Sequence, residues 1–141
     1  MIAEAEISAR NDIAELPALG QFLARFWSEQ HLPAEPAMDV NLAMEEVFAN
    51  VVRYGYRDDA EHRIVVRVTL EGDVIAITVE DDGVAFDPLH APPLQISGPP
   101  GELRVGGLGI HLVRHLMDNL EYRRDGNRNR LVMKKRIRGA A

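Results

Sequence analysis

The strongest constraint on the fold is that strand-like segments come in pairs joined by tight turns. Residues 63–70 place Ile64, Val66, Val68 and Leu70 at period two; after the turn Glu71–Gly72–Asp73, residues 74–81 form a second Val- and Ile-rich run. Residues 121–125 and 131–137 make another pair about a turn at Gly126–Asn127, and residues 2–10 alternate loosely as a first strand. Between these lie helical patterns. Leu16, Leu19, Phe22, Leu23, Phe26 and Trp27 recur at three and four along 13–31, with Pro17 in the first turn. Val40, Met44, Val47, Phe48 and Val51 form a stripe along 38–54, with Gly55 at the C-cap position. A third helix is expected over 110–120. Strands grouped in hairpins, rather than alternating with helices, predict an α+β sandwich: a mostly antiparallel, mixed sheet covered on one face by three helices.

With 46% apolar and 27% charged residues, the 141-residue chain reads as one globular domain spanning 1–141. A net charge of −6 argues against a broad nucleic-acid or anionic-membrane surface. No apolar run approaches bilayer length, and residues 1–12 lack the apolar core of a signal peptide. Absence of cysteine excludes a disulfide framework and a thiol nucleophile. A cytoplasmic protein is the expectation. Residues 82–104 lose all periodicity and carry five prolines, a length that marks a lid or binding loop.

Three motifs flank that loop. Glu46 and Asn50 lie about 40° apart on their helix and share a face, whereas Glu45 points roughly 100° away. A carboxylate beside a carboxamide suits Mg²⁺ and an activated hydroxyl, although a solvated helix face has the same composition. Asp81, at a strand end, can accept from an exocyclic amine, and Gly83 lets backbone approach a flat ligand; an acidic turn is the plainer alternative. Gly106–Gly107–Leu108–Gly109 opens the third helix, where backbone N–H groups and the helix dipole favour an anion. It is neither a dinucleotide-binding fingerprint nor a Walker A loop.

In order, Glu46-x-x-x-Asn50, Asp81-x-Gly83 and Gly107-x-Gly109 resemble the N, G1 and G2 boxes of the GHKL ATPases, which share a Bergerat-type ATP-binding fold. Within them the chain resembles the stand-alone anti-sigma-factor serine kinases, over roughly residues 2–136. The resemblance implies a single histidine-kinase-like domain with an ATP lid at about 84–106. It implies Glu46 as general base, Asn50 as Mg²⁺ ligand, and Asp81 with Gly83 at the adenine. It further implies Gly107 and Gly109 at the phosphates and Asn129 as a polar group near the adenine. Ala85 stands for the second G1 glycine, Tyr54 for a frequent histidine, and Arg104 is the nearest lid arginine; Arg53 is a further cation by Glu46. The implied activity is ATP-dependent phosphorylation of a STAS-type anti-anti-sigma partner on serine, coupled to sequestration of a sigma factor. A homodimer is implied too, with no direct contact to nucleic acid or membrane. The alternative is a non-catalytic, nucleotide-gated binding module of the same fold.

Other residues read as structural. His111 and His115 have metal-ligand spacing but no third ligand. Phe22, Phe26 and Trp27 read as core. Arg128, Arg130, Lys134, Lys135 and Arg136 read as a solvated or sheet-edge face.

Overall fold

A computed structural model describes residues 2–85, 87 and 105–137. Its elements run β1 (Ile2–Arg10), α1 (Leu16–Glu29), α2 (Ala37–Tyr54), β2 (Arg63–Glu71), β3 (Val74–Asp81), α3 (Val105–Leu116), β4 (Asn119–Asp125) and β5 (Arg128–Arg136). The five strands form one sheet in the order β1-β2-β3-β5-β4. All four pairings are antiparallel, so the described sheet contains no parallel pair of the kind a mixed sheet has.

The period-two pattern decides which face is covered. Ile64, Val66 and Val68 of β2, Ile75, Ile77 and Val79 of β3, and Leu131 and Met133 of β5 form the inward rows. Onto them pack Leu19, Leu23, Phe26 and Trp27 of α1, Val40, Met44, Val47 and Phe48 of α2, and Ile110, Val113 and Met117 at the other end of the chain. The outer face is tied by charge. Arg67 meets Glu6 at 2.6 Å and Glu4 at 3.2 Å, and Arg130 meets Glu80 at 2.7 Å.

Expectations for three elements need correction. The first helix is not continuous from 13 to 31: a 3₁₀ turn (Ile13–Glu15) precedes α1, because the Asp12 carboxylate accepts from the Ala14 N–H at 2.9 Å and caps that turn separately. The third helix begins at Val105 and takes the glycines into its body. It ends at Leu116, because the Asp118 N–H turns from the helix to the Lys134 carbonyl, 2.9 Å away, and the chain joins the sheet. β5 starts at Arg128, not 131, and lies inside the sheet, so its cations do not guard an edge, although Arg128, Arg130 and Arg136 are exposed as a solvated face would be. Arg130 pairs with Glu80, Lys134 with Glu121 at 3.5 Å, and Arg136 with Asp73 at 3.5 Å. Most of the expected lid, including Arg104, lies outside the described residues. Among the described residues, no helix is long and apolar enough to cross a membrane.

Phe48 is fully buried at the centre of α2. Phe48→Ala is expected to lower unfolding free energy by about 3–5 kcal/mol, read by urea denaturation. A loss under about 1 kcal/mol would mean α2 does not anchor this core.

Candidate nucleotide site

The site begins where the apolar rows end. The inward row of β3 runs Ile75, Ile77, Val79 and then Asp81; that of β5 runs Met133, Leu131 and then Asn129. Asp81 and Asn129 are register partners, and among the described residues they are the buried polar ones, at 4% and 7% exposure. A polar pair placed there must satisfy itself. Asp81 Oδ1 accepts from the Gly83 N–H at 2.8 Å and from Asn129 Nδ2 at 3.0 Å.

The row extends one strand further. Arg124 of β4 is the register partner of Asn129. Its Nη1 donates to the Gly83 carbonyl at 2.8 Å and to Asn129 Oδ1 at 3.1 Å, and that same oxygen accepts from the Tyr122 hydroxyl. Asn129 Nδ2 also donates to the Val84 carbonyl at 2.9 Å. The Asn129 amide is thus engaged on both its oxygen and its nitrogen by protein groups. It clamps the strand ends together and leaves Asp81 as the carboxylate of the pocket.

Gly83 is dictated by a close approach. A Cβ there would collide with the Gly55 carbonyl oxygen and lie 2.9 Å from Asp81 Oδ1. That Gly55 carbonyl, at the end of α2, accepts from the Val84 N–H at 2.8 Å. An otherwise unpaired helix-terminal carbonyl therefore fastens α2 to the exit of β3.

Between α2 and the strand ends lies a mainly apolar cleft of about 530 Å³, counting its open mouth. Val47, Val51, Val79, Ile110 and Leu131 line its walls; Asn50, Asp81 and Asn129 supply polar groups, and half-exposed Tyr54 stands at its rim. Flat apolar walls with a few convergent polar atoms suit an aromatic heterocycle bearing a polar tail.

Beside it, α3 crosses α2 at Gly109. A Cβ on Gly109 would lie 3.0 Å from Glu46 Oε2 and 3.2 Å from Asn50 Nδ2. Glu46 and Asn50 therefore reach the same point of the helix–helix contact, as their spacing predicts. Asn50 Oδ1 is buried and has no hydrogen-bond partner. An orphaned acceptor beside a carboxylate fits a hard cation that keeps most of its other ligands from phosphate and water. Glu45 is turned away and accepts from Asn41 at 2.9 Å. Arg53 is exposed on the last turn of α2.

Of the predicted site residues, the structure brings Glu46, Asn50 and Gly109 together at one end and Asp81, Gly83 and Asn129 at the other. Gly107 lies in the first turns of α3, and Gly109 sits within the helix rather than opening it. Arg104 lies outside the described residues. His111 and His115 belong to no cluster of three potential metal ligands among the described residues. Sequence reading missed Tyr122 and Arg124. The signal was present: a two-residue turn at 126–127 sets Arg124 opposite Asn129.

Burial raises the Asp81 carboxyl above the usual carboxylate range, and the bonds from Asn129 and Gly83 pull it back only in part. The folded state therefore binds this proton more readily than the unfolded chain. Its contribution to stability is present in acid and is lost as pH rises through the folded value, so ionised Asp81 costs stability at neutral pH. Asp81→Asn, which keeps an oxygen for Asn129, is expected to raise the urea midpoint at pH 7. It should weaken adenine-nucleotide binding about tenfold to hundredfold in calorimetry. Loss of stability together with binding would show Asp81 to be structural.

Comparison with known proteins agrees with this geometry. The family model described as a histidine kinase-like ATPase domain matches residues 9–135. An anti-sigma F factor of Clostridium perfringens is 31% identical over 106 residues, covering 73% of this chain and 74% of that protein. A serine-protein kinase RsbW of Bacillus cereus is 32% identical over 100 residues, 68% of this chain and 62% of the kinase. The structure of the RsbU and RsbW domains of a Mycobacterium tuberculosis protein superposes with a TM-score of 0.69 at 18% identity. It covers 96% of this chain and 32% of that one, and it supports the fold.

Proposed function

The chain belongs to the histidine kinase-like ATPase family, in its anti-sigma-factor serine kinase branch, and we propose that it is an ATP-dependent protein serine kinase. In this reading it sequesters a sigma factor and phosphorylates a STAS-type anti-anti-sigma protein, acting as a homodimer of single-domain chains whose lid is the 84–106 segment. The observation that carries it is the buried, unpartnered Asn50 Oδ1 beside Glu46, set at the end of a cleft whose other end holds Asp81.

Each residue has a distinct task. Asp81 accepts from the adenine amino group, and Gly83 keeps the ring plane clear. The apolar walls exclude water from one face of the base. Asn50 Oδ1 would hold Mg²⁺, which would supply neutralising charge for the triphosphate. Backbone N–H groups in the first turn of α3, Gly107 among them, face the phosphates at the positive end of the helix dipole, and Gly109, inside the helix, leaves room beside Glu46 and Asn50. Arg104, the nearest lid arginine in the sequence, is assigned to the γ-phosphoryl group on the family resemblance. Glu46 takes the proton as the serine oxygen bonds to the γ-phosphorus. The bond from that phosphorus to the β,γ-bridging oxygen breaks, and its electron pair leaves with ADP. Such transfer depends chiefly on positioning and charge neutralisation.

The test pairs Mg²⁺-dependent calorimetry with label transfer from γ-labelled ATP to a purified STAS-type protein. Glu46→Gln is expected to bind ATP within about threefold of the natural chain while transfer falls about 10²- to 10⁴-fold. Asn50→Ala is expected to lose the Mg²⁺ dependence of binding. ATP binding by the natural chain without any transfer would favour the nucleotide-gated binding module. No ATP binding at all would overturn the site.

A further inference from the structure

Outside the cleft, behind Asp81, the His62 ring is held at both nitrogens. Its Nε2 lies 2.7 Å from Asp58 Oδ1, and its Nδ1 lies 3.2 Å from Asp82 Oδ1. The ring stacks on Tyr56 with centroids 4.2 Å apart and planes 19° apart. Its backbone is anchored as well: the His62 N–H donates to Asn11 Oδ1 at 2.9 Å, and the Asn11 N–H donates to the His62 carbonyl at 3.1 Å. Asp58 is braced by the Ala60 N–H at 3.0 Å. The imidazole therefore has little freedom to turn away from either carboxylate.

This geometry makes a chemical demand. A neutral imidazole has one N–H, so one of its nitrogens would aim a lone pair at a carboxylate oxygen. Only the imidazolium donates to both. Asp82 lies between Asp81 and Gly83, so its tether acts on the segment that shapes the cleft. Tyr56 follows Gly55, whose carbonyl binds the Val84 N–H. The His62 cluster thus grips both sides of the α2-to-β3 fastening.

We infer that His62 is a positioning residue for the nucleotide cleft: as an imidazolium it fastens Asp82 and thereby holds Asp81 and Gly83 in place, and on losing a proton it releases Asp82. The inference rests on the nucleotide reading above for its effect on affinity, and on the hydrogen-bond geometry alone for its effect on the segment. The longer arm, to Asp82, is the one released; the neutral ring keeps its proton on Nε2 toward Asp58.

The charged and titratable groups facing the ring are Asp58 from the loop after α2, Asp82 from the segment after β3, and the Tyr56 phenol. Asn11, just after β1, is neutral, and Arg10 before it is paired with Glu15. Hydrogen bonding to Asp58 chiefly raises His62 above the ordinary histidine value; burial opposes it, and the weaker bond to Asp82 adds to the rise. Tyr56 is pushed upward by burial and by the Asp81 and Asp82 charges, so it stays neutral throughout. The raised His62 sets the sign: the tether is whole at low pH and is lost as pH rises through the folded value.

The experiment follows Mg²⁺–ATP affinity from pH 6 to 9 in the natural chain, in His62→Gln and in the control His31→Asn. It is joined to NMR of the nucleotide-free ¹⁵N-labelled chain over the same range. The natural chain and the control are expected to bind about threefold to fivefold more weakly at the alkaline end. His62→Gln should be weak at both ends, without that pH dependence. Exchange of the Gly83 and Val84 amides should rise beyond the intrinsic base-catalysed increase as His62 titrates. Parallel pH profiles in His62→Gln and the natural chain would overturn the inference, as would Gly83 and Val84 protection indifferent to His62 titration. If the natural chain binds no ATP at any pH, the nucleotide reading fails, and the amide exchange alone decides whether His62 holds the segment.

Discussion

The site depends on one backbone contact, between the Gly55 carbonyl at the end of α2 and the Gly83–Val84 backbone beyond β3. A helix end leaves carbonyls without intrahelical partners, and here one of them is answered by the Val84 N–H. The approach is so close that residue 83 can carry no side chain. That contact sets how far the Asn50 end of the cleft lies from Asp81. It also turns the Asp81 carboxylate inward while Asp82 points outward to His62.

The cleft is built at some cost to the fold. The inward face of the sheet is apolar until Asp81 and Asn129 complete its rows. A purely structural sheet would end those rows in more aliphatic carbon. Here the polar pair is retained and then supported from two strands: Asn129 fills its hydrogen bonds with Asp81, Val84, Tyr122 and Arg124. Asp81, by contrast, keeps its carboxyl raised by burial. A buried carboxylate supported on one oxygen fits a group set aside for a ligand rather than for stability. Asn50 Oδ1 tells the same story at the other end of the cleft.

Much of this was legible in the sequence because the hydrophobic periods are strong. Val-Ile alternation fixed β2 and β3 to within a residue, and the Val40-to-Val51 stripe fixed α2. The spacing of Glu46 and Asn50 placed them on one face, and the structure brings both to Gly109. The glycines of α3 misled for a physical reason. Low helix propensity suggests a helix start, whereas Gly109 is small because Glu46 and Asn50 occupy the space a side chain would need. Burial also extended β5: the sequence pattern predicts the strand from residue 131, yet Asn129, between two exposed arginines, faces the core and draws the strand outward to residue 128. The His62 cluster left no local trace, since Asp58, His62 and Asp82 come together only once β2 and β3 pair.

The central claim is that one cleft, from Asp81 to Asn50, receives an adenine nucleotide. The most direct measurement is a two-dimensional ¹H–¹⁵N titration of the full chain with Mg²⁺–ATP and, separately, with Mg²⁺–GTP. ATP is expected to perturb Gly83, Val84, Gly109 and the Asn50 and Asn129 side-chain amides together, at concentrations where GTP leaves them unmoved. Equal responses to the two nucleotides, or perturbations confined to the outer face of the sheet, would contradict it.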